Sequence, residues 1–377
     1  PDPARAAAIA AEARGNPFFV SELSRFVTAD VEPAAASLAA SAGDTVASLD
    51  QLLRDRACRL PPEPRRLLHV VAIAGQPLAR AVAARAAFGD EGGDEPGAVA
   101  LLRRERLVRA RGDGAQGEAL LPYHDRVREA VVAGLGEEEA RALHLCLGSA
   151  LEAAPATEPE WLVYHFQRGG DGPRVARYAL AASAAAQAAL AYHQAARLCQ
   201  VALESGALSA ADELSCRARL ADALAAAGRP REAGAAYLAL AAREDPAGAL
   251  QRRRQAARQL MAGGYPDEGF AVLRQLLAAA RLPLSPRPLR IAVSILLHML
   301  LLRLRGRERF RERAEAEVAP LALLRIDTCE AVSSIAATDP MLSGYFLVLG
   351  LWLALRAGEP RRLAHALSGE SHMRAGM

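Results

Sequence analysis

The sequence predicts a mainly α chain, in which a small winged-helix unit leads into a helical solenoid. Three observations carry that expectation. First, around Leu220–Pro230 and again around Ala256–Pro266 an apolar helical pattern stops at a glycine and resumes at a proline. A shift of 36 residues lays Arg217, Ala221, Leu224, Gly228, Pro230, Glu232 and Leu240 onto Arg253, Ala257, Leu260, Gly264, Pro266, Glu268 and Leu276. Glycine suits the left-handed position that ends a helix and proline the first position of the next. A period in the mid-thirties with two helices per copy marks a stack of helix hairpins. Second, hydrophobic residues make up 52% of the chain and aromatics only 5%, with alanine dominant, which favours close-packed helices over sheets. Third, strand-like alternation is confined to one short stretch, 107–123.

In chain order, Ala4–Ala13 reads as a helix that breaks at Arg14-Gly15-Asn16-Pro17. The residue before a proline is held extended, and the proline then opens a helix over Phe18–Val27. The alanine- and serine-rich segment 31–47 reads as a linker. A domain follows over 48–135, with helices expected at Leu49–Arg59, Glu63–Ala74, Ala79–Phe88 and Ala98–Arg104. Leu107–Arg111 and Glu118–Tyr123 then alternate as a hairpin about a glycine-rich turn, before a helix resumes at His124. Three helices followed by a two-stranded wing describe a winged-helix unit. Ala140–Ala153 and Trp161–Arg168 are connecting helices within 136–171, and 172–377 is the solenoid. Its first hairpin is Arg174–Leu190 with Tyr192–Leu203, in which Ala188 and Tyr192 align with Ala233 and Tyr237. Arg281–Leu289 reads as a proline-punctuated loop, and Gly358-Glu359-Pro360 closes a later hairpin. Two apolar runs, Ile291–Leu302 and Tyr345–Leu355, are shorter than a membrane span and read as buried solenoid helices.

Two absences limit the chemistry. All 46 lysine-plus-arginine residues are arginine, and Asn16 is the only asparagine. A P-loop needs a lysine on the phosphates, a protein kinase needs a lysine and an asparagine, and a Schiff base needs an amine. None of these sites can be assembled here in its usual form. The net charge of +3 is too small to imply an electrostatic partner. Cys58, Cys146, Cys199, Cys216 and Cys329 form no Cys-x-x-Cys and read as reduced, buried thiols of a cytoplasmic protein. The opening Pro1, and the want of a capping helix before Met377, lead us to expect a longer protein.

Several residue groups invite a sharper reading. Arg103, Arg104, Arg106, Arg109 and Arg111 near the wing could serve phosphates, but Glu105 lies among them. Arg303, Arg305, Arg307, Arg309, Arg311 and Arg313 recur at every second position, which winds them around a helix instead of along one face. With Glu308, Glu312 and Glu315 between them, a solvated, ion-paired helix is expected. His124-Asp125-Arg126 comes without a serine elbow or a glycine-rich loop, so His124 is expected to cap or pack the helix after the wing. His165 and His298 sit in apolar stretches and read as satisfied core residues. No metal-ligand spacing is present, and neither a catalytic nor a metal site is expected.

Taken together, the pieces resemble a known family. Gly15-Asn16-Pro17-Phe18-Phe19, then a winged-helix unit with Tyr123-His124-Asp125-Arg126-Val127-Arg128-Glu129-Ala130, looks like the distal half of a STAND-type signalling ATPase. With Tyr265–Leu273, Leu302–Gly306 and Arg325–Cys329 added, the chain is similar to bacterial Hanks-type serine/threonine protein kinases that carry a fused AAA/STAND ATPase and tetratricopeptide-like repeats. The resemblance implies that residues 1–30 are the tail of the ATPase module. It also implies that ATP or ADP with Mg²⁺ is bound mainly by an upstream half, and that Asn16 and Pro17 lie against the adenine. The function it implies is a regulatory or sensor segment whose repeats bind a protein or peptide and control ATPase and kinase output. ATP-dependent self-association is compatible with it, whereas nucleic acid and membrane are not expected partners. The other reading is a STAND-type transcription regulator with its DNA-binding domain outside these residues. Alanine- and leucine-lined grooves with arginine rims favour an acidic or amphipathic peptide as the ligand.

Overall fold

The computed structural model describes residues 49–375 apart from 90–91, 113–116, 156, 283–286, 306–309 and 336–338, together with six isolated positions before residue 49. Apart from those six positions, the expected helices at 4–13 and 18–27 lie outside the described residues, as do the linker at 31–47 and the wing-tip residues 113–116. The described residues are mainly helical, and the chain divides into two compact units, Pro1–Tyr178 and Ala179–Met377.

In the first unit, α1 (Leu49–Cys58) and α2 (Pro62–Ala74) precede β1 (Leu78–Ala79), α3 (Arg80–Phe88) and α4 (Glu95–Arg104). Then come β2 (Val108–Arg111), β3 (Ala119–Pro122) and α5 (Asp125–Ala133). α2 has proline in its first turn and α4 is capped by Asp94, whose carboxylate accepts from the Gly97 amide at 3.0 Å. The expected hairpin forms, with Ala110 opposite Leu120. The unforeseen strand is β1, which pairs antiparallel with β3 and gives a sheet of order β1-β3-β2. Leu67, Leu68, Leu78, Leu102, Leu107 and Leu120 form the fully buried centre. Arg80 joins the layers by ion-pairing Glu95 and Glu118.

α6 (Glu137–Glu152) and α7 (Pro159–Gly169) form a hairpin belonging to the same unit. The His69 ring meets Glu139 at 2.9 Å, and the Trp161 indole donates to the Ala74 carbonyl at 3.4 Å, so both helices are tied to α2.

The second unit is a tetratricopeptide-like helical solenoid. α8 (Gly172–Ala188) enters it, followed by α9 (Tyr192–Glu204), α10 (Ala210–Ala226), α11 (Pro230–Ala241), α12 (Pro246–Ala262) and α13 (Pro266–Ala279). From α9 to α13 each helix packs on the next. The repeated turn is the same in both copies. Gly228 and Gly264 adopt φ of 71° and 83°, and Arg229 and Tyr265 then adopt φ near −110° ahead of a helix that begins at proline. The amide beyond each glycine donates to a carbonyl five residues back, Arg229 to Leu224 at 3.0 Å and Tyr265 to Leu260 at 2.8 Å. Tyr192, however, opens α9, whereas Tyr237 lies inside α11. The expected alignment of Ala188 and Tyr192 with Ala233 and Tyr237 therefore fails in register.

The stack then changes. α14 (Pro288–Arg305) packs on α16 (Pro340–Ala357), while α15 (Pro320–Ile335) takes the place against α12 and α13. Leu260, Val272, Leu276, Cys329, Val332 and Phe346 form one buried cluster across α12, α13, α15 and α16. Leu302, Ile326, Leu351, Ala354, Leu355 and Leu363 form another, which extends to α17 (Pro360–Ala375). Among the described residues α16 is the helix long and apolar enough to cross a membrane, yet Phe346, Leu351 and Ala354 are fully buried in these clusters, as a core helix requires. Gly358 ends α16 at φ 75°, and a Cβ there would fall 1.9 Å from the Arg311 carbonyl oxygen.

Three expectations are corrected. Tyr345–Leu355 is a core segment, but Ile291–Leu302 is not, because much of α14 faces solvent. The ion-paired helix expected through Arg313 ends at Arg305, whose guanidinium donates to the Leu355 carbonyl at 3.1 Å and lies over Trp352. Residues 310–314 are irregular, and Arg307 and Arg309 lie outside the described residues. All five cysteines are free, but Cys58 is exposed and Cys146 half-buried; only Cys199, Cys216 and Cys329 are core thiols.

Candidate functional site

Helical spacing builds a groove in the solenoid. On α12, Leu250, Arg254 and Arg258 recur every fourth residue and so share one face, with Gln251 and Gln255 beside them. α15 opposes them with Leu321, Leu324, Asp327, Ala331 and Ile335. Between the two rows lies an open cavity of about 870 Å³, within the range of ligand sites.

The charges in and beside this groove are unequally satisfied, Arg252 lying next to it on α12. Arg252 is held by Glu244 at 3.2 Å and by the Gln255 amide oxygen at 3.1 Å. Asp327 accepts from Arg362 through both oxygens, at 2.6 and 3.1 Å, and this pairing raises the pKa of Arg362 further. Arg254 and Arg258 have no ion-pair partner among the described residues. The groove therefore presents two free guanidinium groups, two amides and an aliphatic wall, with its lining carboxylate already neutralised. Such a surface accepts an anionic group and an apolar side chain together.

The neighbouring repeat is closed by contrast. The Tyr237 hydroxyl donates to Asp222 at 2.6 Å, and burial first, then this bond, raises the phenol's pKa. A second depression of about 670 Å³, in the first unit, is ringed by Arg54, Arg65 and Arg66. There Arg65 donates to the Cys58 carbonyl at 3.3 Å and Arg54 to the Asp50 carbonyl at 3.1 Å, so two of the three are occupied on helix ends.

The residues singled out in the sequence fare differently. Asn16 and Pro17 lie outside the described residues. His124 caps α5, its Nδ1 accepting from the Arg126 amide at 3.3 Å. Near the wing, Arg103 faces Glu118 at 3.6 Å and Arg104 faces Glu105 at 3.6 Å. His298 is satisfied at the Ser294 carbonyl, 2.7 Å away. His165 is not a fully satisfied core residue. Its Nδ1 meets that of His144 at 2.9 Å, but its buried Nε2 has no partner among the described residues, and burial pushes its pKa down to about 3. Sequence reasoning missed Arg254 and Arg258. The signal was local, in their spacing on α12, but their lack of partners shows only in three dimensions.

No protein-family model matches this sequence, and no curated protein matches it. Among solved structures, the chain is similar to a signal transduction ATPase with numerous domains (STAND) protein with a tetratricopeptide repeat sensor from Pyrococcus horikoshii, at 14% identity and a TM-score of 0.39. The match covers 96% of this chain and 54% of that one, so the chain spans about half the length of the protein it matches.

Proposed function

We propose that this chain is a regulatory or sensor segment of a STAND-type signalling ATPase fused to a serine/threonine protein kinase. Its solenoid takes a protein or peptide ligand in the α12–α15 groove. The observation that carries the reading is the pair of unpartnered arginines, Arg254 and Arg258, facing an aliphatic wall. An acidic amphipathic segment answers both, its carboxylates on the guanidinium groups and its apolar side chains against Leu321 and Leu324.

The first unit supports the same reading. Its order of helix, strand, two helices and hairpin, with the strand completing the sheet, supports reading it as a winged helix. The helix before the hairpin, α4, is where a DNA reader would place its contacts. Arg103 and Arg104, in its last turn, face carboxylates instead. We therefore favour a joint between modules over a DNA-contacting surface. Ligand binding shifts the output only if the two states of the joint bind the ligand with different affinity. The test is deletion of residues 172–377 from the full-length protein. ATPase and kinase rates that lose their response to the stimulus support the reading, and rates that ignore the deletion overturn it.

A further inference from the structure

The apolar run of α14 faces two ways. Leu302 is buried against α16, whereas Leu289, Val293, Leu296, Leu297, Leu300 and Leu304 are 78, 59, 67, 52, 53 and 73% exposed. At about 100° per residue these six occupy one stripe roughly 100° wide, opposite Leu302. An apolar face of this kind in contact with water marks an interaction surface.

The chemistry of the stripe limits what can cover it. α14 contains no aspartate or glutamate, and neither does α16 beneath it. Arg290 and Arg303 flank the stripe on either side, both exposed and without an ion-pair partner among the described residues. The face thus asks for an apolar phase bordered by negative charge. It lacks the tyrosine and tryptophan anchors that concentrate binding energy in protein interfaces.

We propose that α14 docks the second unit on an anionic bilayer surface. The helix lies in the headgroup plane, its leucine stripe sunk toward the acyl chains and Arg290 and Arg303 on lipid phosphates. It does not span the bilayer, because its opposite side is committed to α16. The inference does not depend on the groove or on its ligand.

The test is co-sedimentation of residues 1–377 with unilamellar vesicles of phosphatidylglycerol and phosphatidylcholine in equal parts, and with phosphatidylcholine alone. The chain should pellet with the mixed vesicles, less so in high salt and least with phosphatidylcholine. The double variant Leu296→Glu/Leu300→Glu should stay in the supernatant. Arg290→Gln/Arg303→Gln should lose its preference for anionic vesicles, by about fivefold for each arginine removed. All four side chains are exposed, so unchanged helical circular dichroism and melting serve as the folding control. Failure of the wild type to pellet with mixed vesicles would overturn the proposal, as would pelleting of the leucine variant like the wild type. A wild-type dimer in light scattering that does not pellet, and that Leu296→Glu/Leu300→Glu dissociates, would assign the stripe to a second copy instead.

Discussion

The hairpins α10–α11 and α12–α13 share a core and differ outside it. Leu224 and Leu260 are equivalent and equally buried, Ala221 and Ala257 are both fully buried, and Gly228 and Gly264 make the same turn. The outward positions diverge. Asp222, tied to Tyr237, is replaced in the second copy by Arg258, which faces the groove with no ion-pair partner among the described residues, and the one core difference that goes with it is Tyr237 giving way to Leu273. Ala218 gives way to Arg254 and Ser215 to Gln251. What stacks the repeat is kept, and what faces outward changes. A binding face in a solenoid is therefore best sought where repeat-equivalent positions disagree.

The largest effect probes the shared core. Leu224→Ala and Leu260→Ala should each cost about 2–5 kcal/mol in urea unfolding, by similar amounts because each residue is 3% exposed. Strongly unequal losses would break the equivalence of the copies. Acid should separate the two repeats from the α6–α7 hairpin, since residues 210–279 contain no histidine. His165 titrates at about 3 in the fold against 6.5 when unfolded, so the unfolded chain binds that proton first. Stability is unaffected well above pH 6.5 and falls as pH drops from there toward 3, by about 1.4 kcal/mol per pH unit. His144, held low by burial and by Arg168, acts in the same direction. Hydrogen exchange at pH 7 and pH 5 should show α6–α7 loosening first, and His165→Phe should flatten the dependence.

Smaller effects sharpen the comparison. Gly228→Ala and Gly264→Ala force a side chain into the left-handed region and should each cost about 1–2 kcal/mol. Tyr237→Phe removes a hydrogen bond that only the first copy has and should cost about 1 kcal/mol.

The legible parts of the fold were those whose residue types are forced by local geometry. Glycine then proline at 228–230 and 264–266 announced two hairpins because few other residues suit those backbone positions. The same turn recurs at Leu190, with φ 59°, and at Arg281, with φ 52°, but there the residue types do not advertise it. β1 has two residues, too few for any alternation, and its partner β3 lies some forty positions on. The displacement of α14 was hidden because a helix apolar all round does not say which side is buried. In the groove, composition revealed arginines on rims. That Arg252 is engaged while Arg254 and Arg258 are not depends on where Glu244 and Arg362 come to lie.

The most direct measurement is fluorescence anisotropy with a labelled amphipathic helical peptide of alternating glutamate and leucine faces, titrated with residues 1–377. The wild type should bind it, Arg254→Glu/Arg258→Glu should abolish binding without lowering the melting temperature, and Asp222→Ala in the first copy should leave it unchanged. Equal affinity of the wild type and the charge-reversed chain would contradict the assignment of the second copy's outward face to recognition.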